Sequence, residues 1–210
     1  MEVFIIGSGG NSKIVIDICE QLNHKILGIF DDKFNGSTIE VYKNNKIINN
    51  IDSIKNYGTI NIINSIGDCQ AKYKIYAKLQ NLPLNWINII HPNSVISSSV
   101  KMGIGNIVCL GAIINCDAEI GDHNLINTCS IIEHDCKIGK FNHFAPKTTL
   151  CGGVIVGDLN LIGVGSSIIP LKIIGNSNKI GGMSMIINNF DNDNTIVGVP
   201  AKIKKNNNVL

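Results

Sequence analysis

Five histidines, at positions 24, 91, 123, 134 and 143, carry side chains that ordinarily titrate near neutral pH, so they are the first candidates for accepting a proton in a reaction. His24 starts an apolar run and reads as a surface residue. His91 precedes Pro92 and reads as packing. His123, in Ile120-Gly121-Asp122-His123-Asn124, can be read as functional or as structural. His134 stands between two acids in Ile131-Ile132-Glu133-His134-Asp135-Cys136, and His143 precedes Phe144. A metal site would ask for a closely spaced pair. The separations from His91 onward are 32, 11 and 9, with no His-x4-His, so no metal is expected.

A second kind of chemistry is written near the start. Gly7-Ser8-Gly9-Gly10, between an apolar β run and a helical spacing, lets a backbone approach closely and aims helix N–H groups at a phosphate. A dinucleotide fingerprint would need glycine where Ser12 stands, which disfavours a nicotinamide cofactor. Asp31-Asp32 ends a second β run, about where an acid contacting ribose or base belongs, and Gly67-Asp68 ends a third. Three strand ends converging on one crevice would hold a mononucleotide; otherwise the glycines merely make a tight turn.

These groups need elements to position them. Residues 1–84 alternate β and α: Glu2 to Ile6, a helix over 11–22 with apolar residues at 14, 15, 18 and 22, Lys25 to Phe30, Ile60 to Ile66, and a helix over 71–82. That grammar predicts a small parallel, Rossmann-like sheet with helices on its faces. After Ile90-His91-Pro92 the grammar changes. Stepping by six from Ile96 to Ile186 meets sixteen positions, all apolar. Superimposed is an 18-residue period: Met102-Gly103, Ile120-Gly121, Ile138-Gly139, Val156-Gly157 and Ile174-Gly175, each followed three residues later by Asn106, Asn124, Asn142, Asn160 or Asn178. Three hexads make one triangular coil of short parallel strands, and residues 95–190 form a β-helix. Small residues such as Ala112, Ala118, Ser130, Thr148 and Ser166 close its corners, the asparagines stack in a ladder, and 191–210 is a C-terminal segment.

Composition agrees and excludes. With 41 isoleucines and only 5% aromatic residues, the chain suits a thin, regular core. A net charge of +2 gives no reason to expect nucleic acid or an anionic membrane surface. The uncharged stretch Met102 to Cys116 is broken by glycine and asparagine, so no membrane span is expected, and seven cysteines without a C-x-x-C suit a reducing, cytoplasmic compartment. Outward positions of the prism are greasy at Ile107, Ile113, Leu125 and Ile131, and again at Ile155, Leu161 and Ile173. On a monomer they would be exposed stripes, which association of prisms would hide; otherwise they are scattered surface aliphatics.

The unbroken hexads, the ending Val197-Gly198-Val199-Pro200-Ala201-Lys202, the opening Ile6-Gly7-Ser8-Gly9-Gly10 and the junction Ile90-His91-Pro92 resemble the left-handed β-helix acyltransferases. Within them the chain is similar, over almost its whole length, to nucleotide-sugar N-acetyltransferases acting on 4-amino-4,6-dideoxy sugars. Handedness comes from this resemblance alone, since parallel crossovers are otherwise right-handed. The resemblance implies that His134 is a general base, with Asp135 raising its basicity and Glu133 as competitor. It implies that Gly9, Gly10, Asn11, Asp31, Asp32 and Gly67 hold the nucleotide of a UDP-sugar, Asn11 standing where related enzymes often have histidine. It further implies that His143, Val164 and Gly182 contact acetyl-CoA, and that the protein is a homotrimer. The acceptor favoured on resemblance is UDP-viosamine. O-acetylation of a sialic acid or related sugar, and a non-catalytic scaffold that binds nucleotide-sugar, are the rivals.

Overall fold

A computed structural model of the protein describes residues 1–204. Its first part is a six-stranded sheet built from β1 (Glu2–Ile6), β2 (Lys25–Phe30), β3 (Ile39–Tyr42), β4 (Asn45–Asn49), β5 (Ile60–Asn64) and β6 (Leu84–Trp86), in the order β3-β4-β2-β1-β5-β6. Every pairing is parallel except β3 with β4, which form an antiparallel edge hairpin. Helix α1 (Gly10–Gln21) follows β1 and α2 (Cys69–Leu79) follows β5. The chain leaves β1 toward β2 on one side and has β5 on the other, so strand order reverses at β1, and the crevice at the carboxyl ends of β1 and β5 is the topological switch point.

The sheet extends to Trp86 and the β-helix opens at Ile89–Ile90, whereas the hydrophobic pattern places the end of the first domain at 84 and the start of the β-helix at 95. From there two-residue strands stack in three parallel sheets. The first face contains Ile107–Val108, Leu125–Ile126, His143–Phe144, Leu161–Ile162 and Lys179–Ile180; the second contains Ile113–Ile114, Ile131–Ile132 and Thr149–Leu150; the third contains Glu119–Ile120, Lys137–Ile138 and Ile155–Val156. Partners are 18 residues apart through the stack, as Ile107 with Leu125 and Ile131 with Thr149, and 16 apart at the last rung, Lys179 with Thr195. The six-spaced aliphatics fill the prism: Val108, Ile114, Ile126, Ile132, Leu150, Ile162 and Ile168 are completely buried.

From Gly105 to Met183 each corner turns through one residue in the left-handed region, Asp117, Asp135 and Leu171 on one edge, His123, Phe141 and Leu159 on another. Corner glycines are required by close stacking: a Cβ on Gly121 would stand 2.5 Å from the Gly139 carbonyl oxygen. The asparagine ladder is continuous. The amides of Asn124, Asn142, Asn160 and Asn178 donate to the side-chain oxygen of the asparagine one coil earlier at 2.8, 2.9, 2.8 and 2.8 Å. Buried peptide groups at this corner therefore find partners that the short strands do not supply. The final coil closes with Thr195–Gly198 on the first face and a hairpin to Ala201–Ile203.

One expectation from the pattern is overturned. Ile107 and Leu125 point out of the prism, yet each is only 1% exposed, because the α/β domain docks on the first face and packs Val15, Ile18 and Cys19 of α1 into the same cluster. This outward ladder is a domain junction within one chain and not an edge offered to a second prism. Farther along, Ile155 and Ile173 on the third face and Leu161 on the first are exposed.

Candidate active site

The Gly-rich turn has the local form of a phosphate site. Gly7 takes φ +92°, and a Cβ there would stand 2.9 Å from Ile66 Cγ1, so glycine is needed for the turn itself. At Gly9 and Gly10 a Cβ would meet nothing within 4 Å, so the space over α1 is open. Gly9 is the N-cap with no side-chain cap, and the first turn carries no acid, which leaves helix N–H groups directed outward for an anion. Asp31 braces this turn: its Oδ2 accepts the Ser8 amide at 2.7 Å and its Oδ1 the Lys33 amide at 2.9 Å. Burial alone would raise its pKa, but these hydrogen bonds outweigh it and hold the carboxyl below its ordinary range. Asp32 uses Oδ1 to accept the Ile51 amide at 3.1 Å and is otherwise exposed. Asn11 lies over Gly67, where a Cβ would stand 2.3 Å from its Nδ2. Gly9, Gly10, Asn11, Asp31, Asp32 and Gly67 thus gather at the switch point.

His143 joins that group from the prism. Its Nδ1–H donates to the Gly67 carbonyl at 2.9 Å, and Asn127 Nδ2 donates to its Nε2 at 3.4 Å. Those bonds define the neutral tautomer, and burial lowers its pKa. Val164 and Gly182 form a separate pair at the corner between first and second faces. Val164 is exposed, and a Cβ on Gly182 would stand 3.1 Å from its Cγ1 and 3.2 Å from its carbonyl oxygen. Bare backbone beside an apolar wall fits an extended pantetheine arm.

His134 and Asp135 occupy the other corner of the second face. Asp135 takes the left-handed conformation at φ 59°, which turns its carboxylate back onto the ring, and His134 Nδ1–H donates to Asp135 Oδ2 at 2.7 Å. That bond, with the nearby negative charge of Asp135 and Glu133, raises the imidazole pKa. Nε2 is left with its lone pair directed away from Asp135, a proton acceptor at an exposed corner. Glu133 is held elsewhere, because Asn115 Nδ2 donates to its Oε2 at 2.8 Å. Of the two acids flanking the histidine, Asp135 is the partner.

Of the remaining histidines, His91 and His123 are buried in the fold, and His24 is a half-exposed residue beside the N-terminal amine. His91 is buried and accepts the Asn93 amide on Nδ1 at 3.0 Å. His123 is boxed by Phe141, Tyr76 and Trp86 at ring distances of 4.9, 4.5 and 5.1 Å. Among the described residues, no group of three or more His, Cys, Asp or Glu side chains could hold a metal, and no helix is long and apolar enough to cross a membrane. The hexad count missed Asn127, Asn115 and Gly152, against which His134 packs; stepping by 18 from the catalytic candidates would have reached Gly152.

A histidine braced by an acid on the corner of a hexapeptide prism, with an α/β domain that carries a Gly-rich turn docked on the same prism, defines a hexapeptide-repeat acyltransferase. A model of the PglD N-terminal domain family matches residues 2–79. The crystal structure of PerB from Caulobacter crescentus, in complex with CoA and GDP-perosamine, superposes with a TM-score of 0.90 at 31% identity, covering 97% of each chain. The acetyltransferase domain of PglB from Neisseria gonorrhoeae, in complex with acetyl coenzyme A, shares the fold with a TM-score of 0.89 at 24% identity, over 97% of this chain and 98% of that one. An uncharacterized protein, L142, of Acanthamoeba polyphaga mimivirus is 38% identical over 106 residues, which are 50% of this chain and 21% of that protein, so the match spans about a fifth of the relative. The chain belongs to the nucleotide-sugar N-acetyltransferases of the left-handed β-helix class.

Proposed function

We propose that this protein transfers the acetyl group of acetyl-CoA to the C4 amine of a nucleotide-linked 4-amino-4,6-dideoxyhexose, with UDP-viosamine as acceptor. The observation that carries the reading is the His134–Asp135 pair, an imidazole with Nδ1 engaged by Asp135 and Nε2 free at the surface. Acetyl-CoA supplies a thioester carbonyl activated toward amines. As the amine nitrogen bonds to that carbon and the carbon–sulfur bond breaks, His134 Nε2 takes the proton that the nitrogen loses, and Asp135 stabilises the resulting imidazolium. The thiolate that leaves is then protonated, giving free CoA and the amide. The Gly152 N–H, beside the ring and without an acceptor among the described residues, can donate to the oxygen that gains charge. Gly9, Gly10 and Asn11 hold the nucleotide phosphates, Asp31 keeps their turn in shape, and Gly67 passes the position of this domain to His143.

The parts lie at two corners of one prism, the base at one and the Val164–Gly182 surface with the sugar-binding domain toward the other. A homotrimer in which the His134 corner of one subunit faces the first–second corner of its neighbour completes the site, and the protein works in the cytoplasm, where acetyl-CoA and nucleotide-sugars are found. Free-thiol release is the assay. UDP-viosamine should turn over, its C4-hydroxyl counterpart should not, and His134→Ala should lower kcat about 10²-fold or more while the protein stays folded. Faster turnover of GDP-perosamine would replace the proposed nucleotide. Turnover of hydroxyl acceptors alone would replace N- by O-acetylation, and no thiol release with any acceptor would leave a binding scaffold.

A further inference from the structure

Stepping by one coil along the corner that holds the base gives Cys116, His134, Gly152 and Pro170. Three of the four rungs carry a side chain, so this backbone position accepts one. The following residue in each rung is the one that takes the left-handed conformation: Asp117 at φ 59°, Asp135 at 59°, Gly153 at 68° and Leu171 at 63°. Backbone geometry therefore accounts for glycine at 153 but not at 152, whose φ lies outside that region.

What lies over Gly152 is one imidazole. A Cβ there would stand 2.6 Å from His134 Cε1, 2.7 Å from Nε2 and 3.3 Å from Nδ1, and these are its three nearest neighbours. Carbon contacts are comfortable near 3.5–4.0 Å, so a single methyl would drive the ring outward by about 1 Å. The ring is held from two directions, by Asp135 through Nδ1 and by the bare backbone of Gly152 beneath it. Glu133 cannot take over from Asp135, because Asn115 holds it.

We infer that Gly152 is a positioning residue: it is the floor on which His134 lies, and its lack of a side chain keeps Nδ1 on Asp135 and fixes the direction of Nε2. The consequence for catalysis rests on the reading of His134 as the base, whereas the seating of the ring does not. Because the ring is exposed on its outer side, a methyl at 152 displaces the imidazole toward solvent without opening the prism core.

The test is Gly152→Ala, which keeps the peptide N–H, followed by thermal melting, by NMR titration of the His134 ring and by thiol release. The melting temperature should stay close to that of the unaltered protein. The His134 titration midpoint should fall toward that of an ordinary histidine, as it should in Asp135→Asn, since the titratable groups facing the ring are Asp135 and Glu133. Turnover should drop about 10²-fold with little change in KM for the nucleotide-sugar, and the acid limb of the rate profile should move to lower pH. An unchanged His134 titration in Gly152→Ala overturns the inference whatever happens to the rate. A shifted titration with unchanged turnover upholds the seating of the ring and removes His134 from the role of base.

Discussion

Lys72 of α2 is carried into the junction between the two domains, where it is 2% exposed. Its Nζ reaches only the His123 carbonyl, at 3.5 Å, and the groups around it are the thiols of Cys69 and Cys109 with the rings of His123 and His143. Among the described residues no carboxylate pairs with it. Burial lowers its pKa from 10.5 to about 8. A unit of pKa is worth about 1.4 kcal/mol, so keeping the amine charged in the folded protein costs about 3 kcal/mol. The unfolded chain binds the extra proton between the two pKa values. The cost is therefore present in full below pH 8 and disappears as pH rises to 10.5. Lys72→Met keeps the stem and removes the amine. At pH 7 it should be more stable than the unaltered protein by about 2–3 kcal/mol, the long contact to His123 offsetting little. Its advantage should shrink steadily above pH 8. The difference between the two proteins is the quantity to follow in urea unfolding. Either protein alone also loses stability above pH 9, because burial pushes the thiols of Cys69 and Cys109 up to about 11 and 12. A Lys72→Met variant less stable at pH 7, or one whose advantage does not depend on pH, would refute the reasoning.

Leu125→Lys places an unpaired charge between the first face and the α/β domain, at a cost of about 3–5 kcal/mol. Limited proteolysis should show the α/β domain released while light scattering shows an unchanged particle mass; a lowered mass with a protected domain would contradict the docking. His123 stays neutral well below ordinary histidines, since burial first and the Lys72 charge second lower its pKa to about 4. Stability linked to it is present above pH 6.5 and lost as pH falls toward 4, and fluorescence of Trp86, whose ring meets His123 edge-on, should be flat from pH 8 to about 5. An inflection near pH 6.5 would show the ring to be solvated.

The sequence alone determined the prism. A six-residue period with an 18-residue period upon it has one physical meaning, because each coil repeats the same three corners and each rung buries the same side chain. The inward aliphatics, the corner residues and the asparagine ladder therefore follow from counting. So does the corner position of His134, and the clustering of Gly9, Gly10, Asp31 and Gly67 follows from strands ending in glycine and acid. Periodicity says which way a side chain points but not what covers it. Ile107, Leu125 and His143 point outward in one ladder, and only docking of the α/β domain decides that the first two are buried within the chain and that His143 is half-buried against Gly67. The same docking makes His123 an aromatic-boxed core residue and strands Lys72 away from water. Asp135 prevails over Glu133 through a left-handed turn and a tether from Asn115, two contacts whose partners lie one bond and one coil away. Such choices depend on close approach between segments that the chain brings together only when folded, and on dehydration that no local pattern records.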